Sequence, residues 1–303
     1  MSKFFSTLQQ FRSFYFQNSP KNIEEAIEYF AVFGGMGWSV DTSRSLELLI
    51  EEKVLKNYRY IHGDITKVTQ SNKLYHSLLS ALATGDRREH AAFRRVKVSR
   101  RDGEEAIDFL MDNDLLEMDK PQLRRDKDDD LSNKLHFTLP FMRFWFSSIS
   151  PYYRGIKDGD YTEVKRQFEN RKQEFSNYIY ERLVLELIKT SFKDDKIEKI
   201  GSYWDKNVEI DIFAKTKSGK LIVGSWKFSK SKANRSELTK LKEKCSQAGL
   251  NVDKFVIFSK SGFSKELKSE KSETLMLLSF KNFNRLIEDL TSNDLIENRN
   301  KKY

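Results

Sequence analysis

The stretch Val208-Glu209-Ile210-Asp211-Ile212, followed after Lys217-Ser218-Gly219-Lys220 by Leu221-Ile222-Val223-Gly224-Ser225-Trp226-Lys227, decides the fold of this chain. Both apolar runs read as strands, and the segment between them reads as a turn. Side chains alternate along a strand, so Glu209 and Asp211 are expected on one face, and Ser225 and Lys227 share a face of the next strand. Carboxylates and a lysine on adjacent strands are what metal-dependent phosphodiester cleavage uses. Mg²⁺ prefers hard oxygen ligands, and a cation is needed beside the attacking water or scissile phosphate. Asp211 is the expected principal ligand, with Glu209 beside it. Glu181, on the preceding helix, would complete the carboxylates, and Lys227 would be the catalytic cation. One position departs from this pattern: Ser225 stands two residues before Lys227, where a third strand carboxylate is expected. The ordinary alternative is a half-exposed strand of alternating charge, for which the same spacing would arise.

Working outward, Phe168 to Ile188 is apolar at helical spacing and reads as a long helix before the strands. Ile197 to Trp204 reads as the first strand, Val208 to Lys215 as the second and Leu221 to Phe228 as the third. Ser236 to Ala248 reads as a helix, and Lys254 to Ser259 as a buried strand. Leu275 to Phe280 is a further strand, Asn282 to Leu290 a last helix, and Glu297 to Tyr303 a frayed end. The predicted order is αβββαβ, as in the restriction-endonuclease core.

The preceding residues read differently. Asn22 caps a helix to Phe33 with Ile23, Ala26, Ile27 and Phe30 on one face, and Ser43 to Leu55 is a second amphipathic helix. Tyr58-Arg59-Tyr60-Ile61 and Ile65-Thr66-Lys67-Val68 around His62-Gly63-Asp64 predict a hairpin. Residues 1–73 are therefore read as a helical, degenerate winged-helix region. Residues 74–138 follow the winged pattern more clearly. Helices are expected over Leu74–Leu82, over Glu89–Val96, and from Ser99 or Asp102 to Met111. Strands at Leu115–Met118 and Leu135–Thr138 then flank a polar tip, Leu123–Asp130. Arg87, Arg88, Arg94, Arg95, Lys97, Arg100 and Arg101 cluster on the second helix and the start of the third, where such a unit meets DNA. The alternative is that these cations pair with Asp102, Glu104 and Glu105 and that the unit makes protein contacts only. Residues 139–165, opening with Leu139-Pro140-Phe141-Met142-Arg143-Phe144-Trp145-Phe146, read as an aromatic connector packed between the two halves. Residues 166–303 form the αβββαβ domain. The expected class is α+β.

Composition agrees with two or three domains in 303 residues. The 23 Phe, 12 Tyr and 4 Trp supply core area despite 38% hydrophobic content. No apolar run is long enough to span a membrane, and the N-terminus, Met1-Ser2-Lys3-Phe4-Phe5, lacks the apolar stretch and small-residue cleavage site of a signal peptide. One cysteine, Cys245, and four histidines argue for a cytoplasmic protein without structural zinc. The net charge of +9 sits entirely in residues 166–303, with 29 Lys+Arg against 20 Asp+Glu, whereas residues 1–165 hold 25 of each. Such an excess favours polyanions, although a lysine-rich solvated surface gives the same count.

From Leu115 to Phe258 the chain resembles the C-terminal domain found behind the ATPase module of archaeal and bacterial STAND-like ATPases. The residues that carry the resemblance are Phe144-Trp145-Phe146, Tyr180-Glu181, Ile200-Gly201-Ser202-Tyr203-Trp204, Glu209-Ile210-Asp211-Ile212 and Gly224-Ser225-Trp226-Lys227. The resemblance implies a winged helix joined to a PD-(D/E)xK nuclease-like domain. Members usually carry Gly-Glu-x-Lys at the last motif, so Ser225 is a departure. No Gly-x-x-x-x-Gly-Lys-[Ser/Thr] occurs, and no ATP binding is expected.

These readings lead to a duplex-DNA-binding protein whose nuclease-like domain is a weak or inactive Mg²⁺-dependent endonuclease. A scaffold or ATPase partner without catalysis stands as the alternative.

Overall fold

The computed structural model describes residues 5–123 and 131–296. Helices come first along the chain: α1 (Thr7–Asn18), α2 (Ile23–Phe33), a short α3 (Leu46–Leu49) that continues as a π-helical turn to Leu55, and α4 (Tyr58–Val68). Local chemistry sets their starts. Asn22 Oδ1 accepts from the Glu25 N–H at 2.9 Å, and Ser6 and Gln9 form a reciprocal capping box on α1. α2 buries Ala26, Ile27 and Phe30 as its periodicity predicts.

The expected hairpin at 58–68 is instead one helix, α4. Tyr58, Ile61 and Ile65 recur at helical spacing and are its buried residues, so one apolar stripe meets the core. Gly63 lies on an open side, where an added Cβ would meet nothing within 4 Å. Residues 5–73 thus hold helices and no strand among the described residues.

Three helices and a two-stranded pair follow: α5 (Lys73–Thr84), α6 (Glu89–Val96), α7 (Arg100–Asp112), β1 (Leu116–Asp119) and β2 (Lys134–Phe137). A bridge between Arg88 and Lys134 adds a short third edge to the β1–β2 pair. The tip residues 124–130 lie outside the described residues. Next come α8 (Pro140–Phe144), a π-helical turn, α9 (Tyr153–Lys157) and α10 (Thr162–Ser191). The aromatic segment 140–146 is wholly buried. It packs within the first unit of the chain: Trp38 meets Phe141 at 5.2 Å, Tyr58 stacks on Trp145 at 5.4 Å, and Phe144 meets Phe168 at 5.8 Å. The segment is core rather than connector.

The chain divides into two compact units, and the division falls inside α10, after Ile179. The first holds Met1–Met118, Ser132–Ile179 and Leu290–Tyr303; the second holds Asp119–Leu131 and Tyr180–Asp289.

The second unit is built on a five-stranded sheet: β3 (Ile197–Trp204), β4 (Glu209–Thr216), β5 (Leu221–Lys227), β6 (Lys254–Ser259) and β7 (Leu275–Ser279), in that order. β3, β4 and β5 are antiparallel; β5, β6 and β7 are parallel. The helix α11 (Arg235–Gln247) makes the crossover from β5 to β6, and α12 (Lys265–Ser269) lies in the crossover to β7. The αβββαβ order read from the sequence is observed, and the class is α+β. α11 contributes Leu241 and Cys245 to a core with Val208, Ile210, Phe213 and Val223. Gly224 is required where β5 and β6 run close, because a Cβ there would lie 2.5 Å from the Val256 carbonyl oxygen. The last predicted helix is a 3₁₀ segment, Phe280–Leu286.

Candidate functional site

Two places carry the residues that the sequence singles out. The first is where β4 and β5 part. Their ladder ends at Ile212 opposite Gly224, which puts Asp211 and Ser225 next to each other just beyond it. There the Asp211 carboxylate takes over as acceptor: the Trp226 N–H donates to Asp211 Oδ2 at 3.3 Å.

The other neighbour of β4 sets a bulge at the same place. Gly201 and Tyr203 of β3 align with Phe213 and Ile210, a step of two residues against a step of three. The extra residue falls at Asp211–Ile212, and the Ser202 hydroxyl donates to the Asp211 carbonyl at 2.9 Å. The alternation of side chains therefore breaks after Asp211, and Ile210 and Phe213 share one core cluster although three residues apart. Bulges recur beside functional sites because they re-aim a side chain without ending the strand.

Burial raises the Asp211 carboxyl to about 6, since loss of water disfavours the anion. The Trp226 N–H and the Lys244 ammonium oppose that rise, while the charges of Glu181 and Glu209 add to it. Both expected partner carboxylates thus lie within electrostatic reach of Asp211. They do not gather into a ligand set: among the described residues, no three His, Cys, Asp or Glu side chains come together as a metal-holding group. Glu209 is exposed, and its carbonyl accepts from Lys244 Nζ at 2.9 Å.

Lys227 is engaged elsewhere. Its Nζ donates to Glu237 Oε1 at 2.7 Å, and both side chains are three-quarters buried. Glu237 sits in the first turn of α11, behind the Asn234 cap, where a carboxylate is favoured by the helix dipole. Sequence reasoning missed Glu237 and Lys244. The Asn234-Arg235-Ser236-Glu237 helix start was the one visible signal for the former.

An ion would find at this place one desolvated carboxylate, a serine hydroxyl in place of a second strand ligand, and a lysine already paired. Mg²⁺ is held through carboxylates together with waters and substrate phosphates. As folded, the donor set is short of that requirement.

The second place is the surface of the first unit where α6 gives way to α7. Arg94, Arg95, Lys97, Arg100 and Arg101 are all exposed. Arg94, Arg95 and Lys97 have no ion pair or side-chain hydrogen bond among the described residues. Arg100 and Arg101 pair along α7 with Glu104 at 2.7 Å and Glu105 at 3.2 Å. Pairs this exposed are worth at most about 0.5 kcal/mol and yield readily to a phosphate. Ser99 Oγ caps α7 by accepting from the Asp102 N–H at 3.1 Å, so the helix begins where the cations converge. Lys97 closes α6 in the left-handed conformation, with φ of 60°. Arg87 and Arg88 belong elsewhere: Arg87 lies 5.3 Å over the Tyr178 ring, and Arg88 Nη1 donates to the Ser132 carbonyl at 3.3 Å. Among the described residues, no helix is long and apolar enough to cross a membrane.

Residues 145–239 match the model of DUF234, a family described as archaeal and bacterial proteins of unknown function. No curated protein matches the chain. Two solved structures are similar. The crystal structure of AF1548, a protein of unknown function, is 18% identical over 34% of this chain and 57% of its own, with a TM-score of 0.24. The Thermococcus gammatolerans assembly of McrB AAA+ hexamers with bound McrC is 12% identical over 72% of this chain and 52% of its own, with a TM-score of 0.25. The chain thus spans little more than half the length of either.

Proposed function

We propose that this is a duplex-DNA-binding protein whose nuclease-like second unit is impaired in metal-dependent cleavage. The observation that carries the reading is the trio Arg94, Arg95 and Lys97, exposed and unpaired among the described residues, in the last turn of α6 and at its C-terminal cap, just before α7. Unpaired cations on a helix–turn–helix surface are available to neutralise phosphates, and the start of the second helix is the part that meets the groove. The impairment follows from the other place, where Ser225 replaces a ligand and Lys227 is held by Glu237.

The test is duplex binding by fluorescence anisotropy across a salt series. Affinity should fall steeply with salt, with a slope of roughly −0.9 for each phosphate neutralised. Replacing Arg94, Arg95 and Lys97 together by alanine should remove about three units from that slope. An unchanged slope would end the DNA reading. A parallel nicking assay with Mg²⁺ or Mn²⁺ should give little or no cleavage. Robust cleavage abolished by Asp211→Ala would restore the endonuclease reading.

A further inference from the structure

A groove of about 720 Å³ opens on the first unit, beside α5, the end of α6, residues 147–153 and α10. That is within the size range of small-ligand sites. Its charged lining is cationic: Arg95 and Arg171 line it and, among the described residues, no carboxylate does, while burial lowers the His76 imidazole toward its neutral form. Arg171 is fixed in the wall: its Nη2 donates to the Ala83 carbonyl at 3.2 Å, and its Nε to Glu174 Oε2 at 3.0 Å. Arg95 is different, being exposed and without a partner among the described residues.

The remaining lining is hydroxyl and ring. Ser77, Ser80 and Thr84 recur at helical spacing on α5 and present one polar stripe to the groove. Tyr152 and Tyr153 line it as well. Arg154 and Lys157 stand over the Tyr153 ring at 5.8 and 5.4 Å, so this rim is basic as well. An arginine with no acidic competitor selects an anion, and phosphate suits its planar fork. Hydroxyls can meet sugar and phosphate oxygens, and tyrosine faces accept a stacked base.

We propose that this groove binds a nucleoside phosphate, with the phosphate at Arg95 and the base against Tyr152. A free mononucleotide and a nucleotide within a DNA strand offer that same chemistry. The inference does not require the winged helix to bind duplex DNA, although Arg95 serves both.

The experiment uses the full chain and two fluorescent probes, an N-methylanthraniloyl derivative of AMP and an end-labelled eight-nucleotide oligothymidylate. At least one should bind saturably and be displaced by excess AMP. Binding of the first assigns the groove to free nucleotides; binding of the oligonucleotide alone assigns it to strands. Ser80→Trp fills the groove and should weaken probe binding at least tenfold, leaving the affinity for duplex DNA within twofold. Arg95→Ala should weaken probe binding about tenfold, as loss of a charge-assisted bond does. Circular dichroism of each variant checks the fold, and Tyr152→Ala replaces Ser80→Trp if the latter unfolds. The proposal is overturned if neither probe binds, or if binding is indifferent to a folded groove variant. Absence of duplex binding by the wild-type chain, with probe binding that the groove variants weaken, counts against the DNA reading alone.

Discussion

Lys227 Nζ lies 2.7 Å from Glu237 Oε1, joining the last residue of β5 to the first turn of α11. The pair is three-quarters buried on both sides, so each charge depends on the other for the water it has lost. Glu237→Gln leaves a neutral acceptor, whereas Glu237→Ala leaves the ammonium stranded. The alanine variant should lose about 1–3 kcal/mol and the glutamine variant less. Urea unfolding of Glu237→Ala, Lys227→Ala and the double variant would measure the coupling. Additive losses would show that the pair contributes nothing.

Asp211 gives the second unit a pH dependence of defined sign. Its carboxyl titrates at about 6 in the fold, against an ordinary value near 3.8. Between those values the native state holds the proton that the unfolded chain has released. Stability from this group therefore falls as pH rises through that window and is lowest above about 6. Asp211→Asn should remove the penalty and stabilise the protein at pH 7 by about 2–3 kcal/mol. Its advantage over wild type should vanish below pH 4. Denaturant midpoints for both proteins from pH 4 to 7 would show this, and an advantage independent of pH would refute it.

Much of the second unit was legible because its signals are local. β3 and β6 occupy the residues predicted for them, Ile197–Trp204 and Lys254–Ser259, and in the first unit α6 does the same at Glu89–Val96. Asn22 caps α2 as its position in the sequence suggests, and of the two candidates Ser99 and Asp102 it is Ser99 that caps α7. What could not be read depends on partners far along the chain. The bulge at Asp211 is set by alignment with Gly201 and Tyr203, and the state of Lys227 is set by Glu237. Neither is a property of the motif that contains it. The misreading at 58–68 has another cause: His62-Gly63-Asp64 looks like a turn, but burial of Tyr58, Ile61 and Ile65 outweighs that local preference.

That helix can be tested directly. Gly63 occupies the interior of α4 with open space around it. Gly63→Ala should raise stability by about 1 kcal/mol, because alanine loses less backbone freedom on entering a helix. A hairpin turn at the same residues would instead be destabilised. Thermal denaturation of the single variant separates the two.

Lys97 trades stability for a cation. Its φ of 60° is costly for any residue with a Cβ, and glycine is the usual occupant of such a helix end. Lys97→Gly should stabilise the first unit by about 0.5–1 kcal/mol. It should also weaken duplex binding and reduce the salt slope by about one. Improved stability with undiminished binding would remove Lys97 from the interface.

Ser225→Glu tests whether one residue separates this site from a working one. The new carboxylate would stand beside Asp211, where the end of the β4–β5 ladder brings the two positions together. Without metal, its charge should push the Asp211 carboxyl higher still, by like-charge repulsion. A divalent ion would relieve that repulsion, so Mn²⁺ should bind measurably by calorimetry and raise the unfolding midpoint of the variant. Plasmid cleavage should then rise on the order of a hundredfold over wild type. If Lys227 must also leave Glu237, the rise should appear only when Glu237→Gln is added. Absence of Mn²⁺ binding in both the single and the double variant would mean that the bulge at Asp211 no longer aims the carboxylate at a common point. The second unit would then lack a metal site, one substitution being too few to build one.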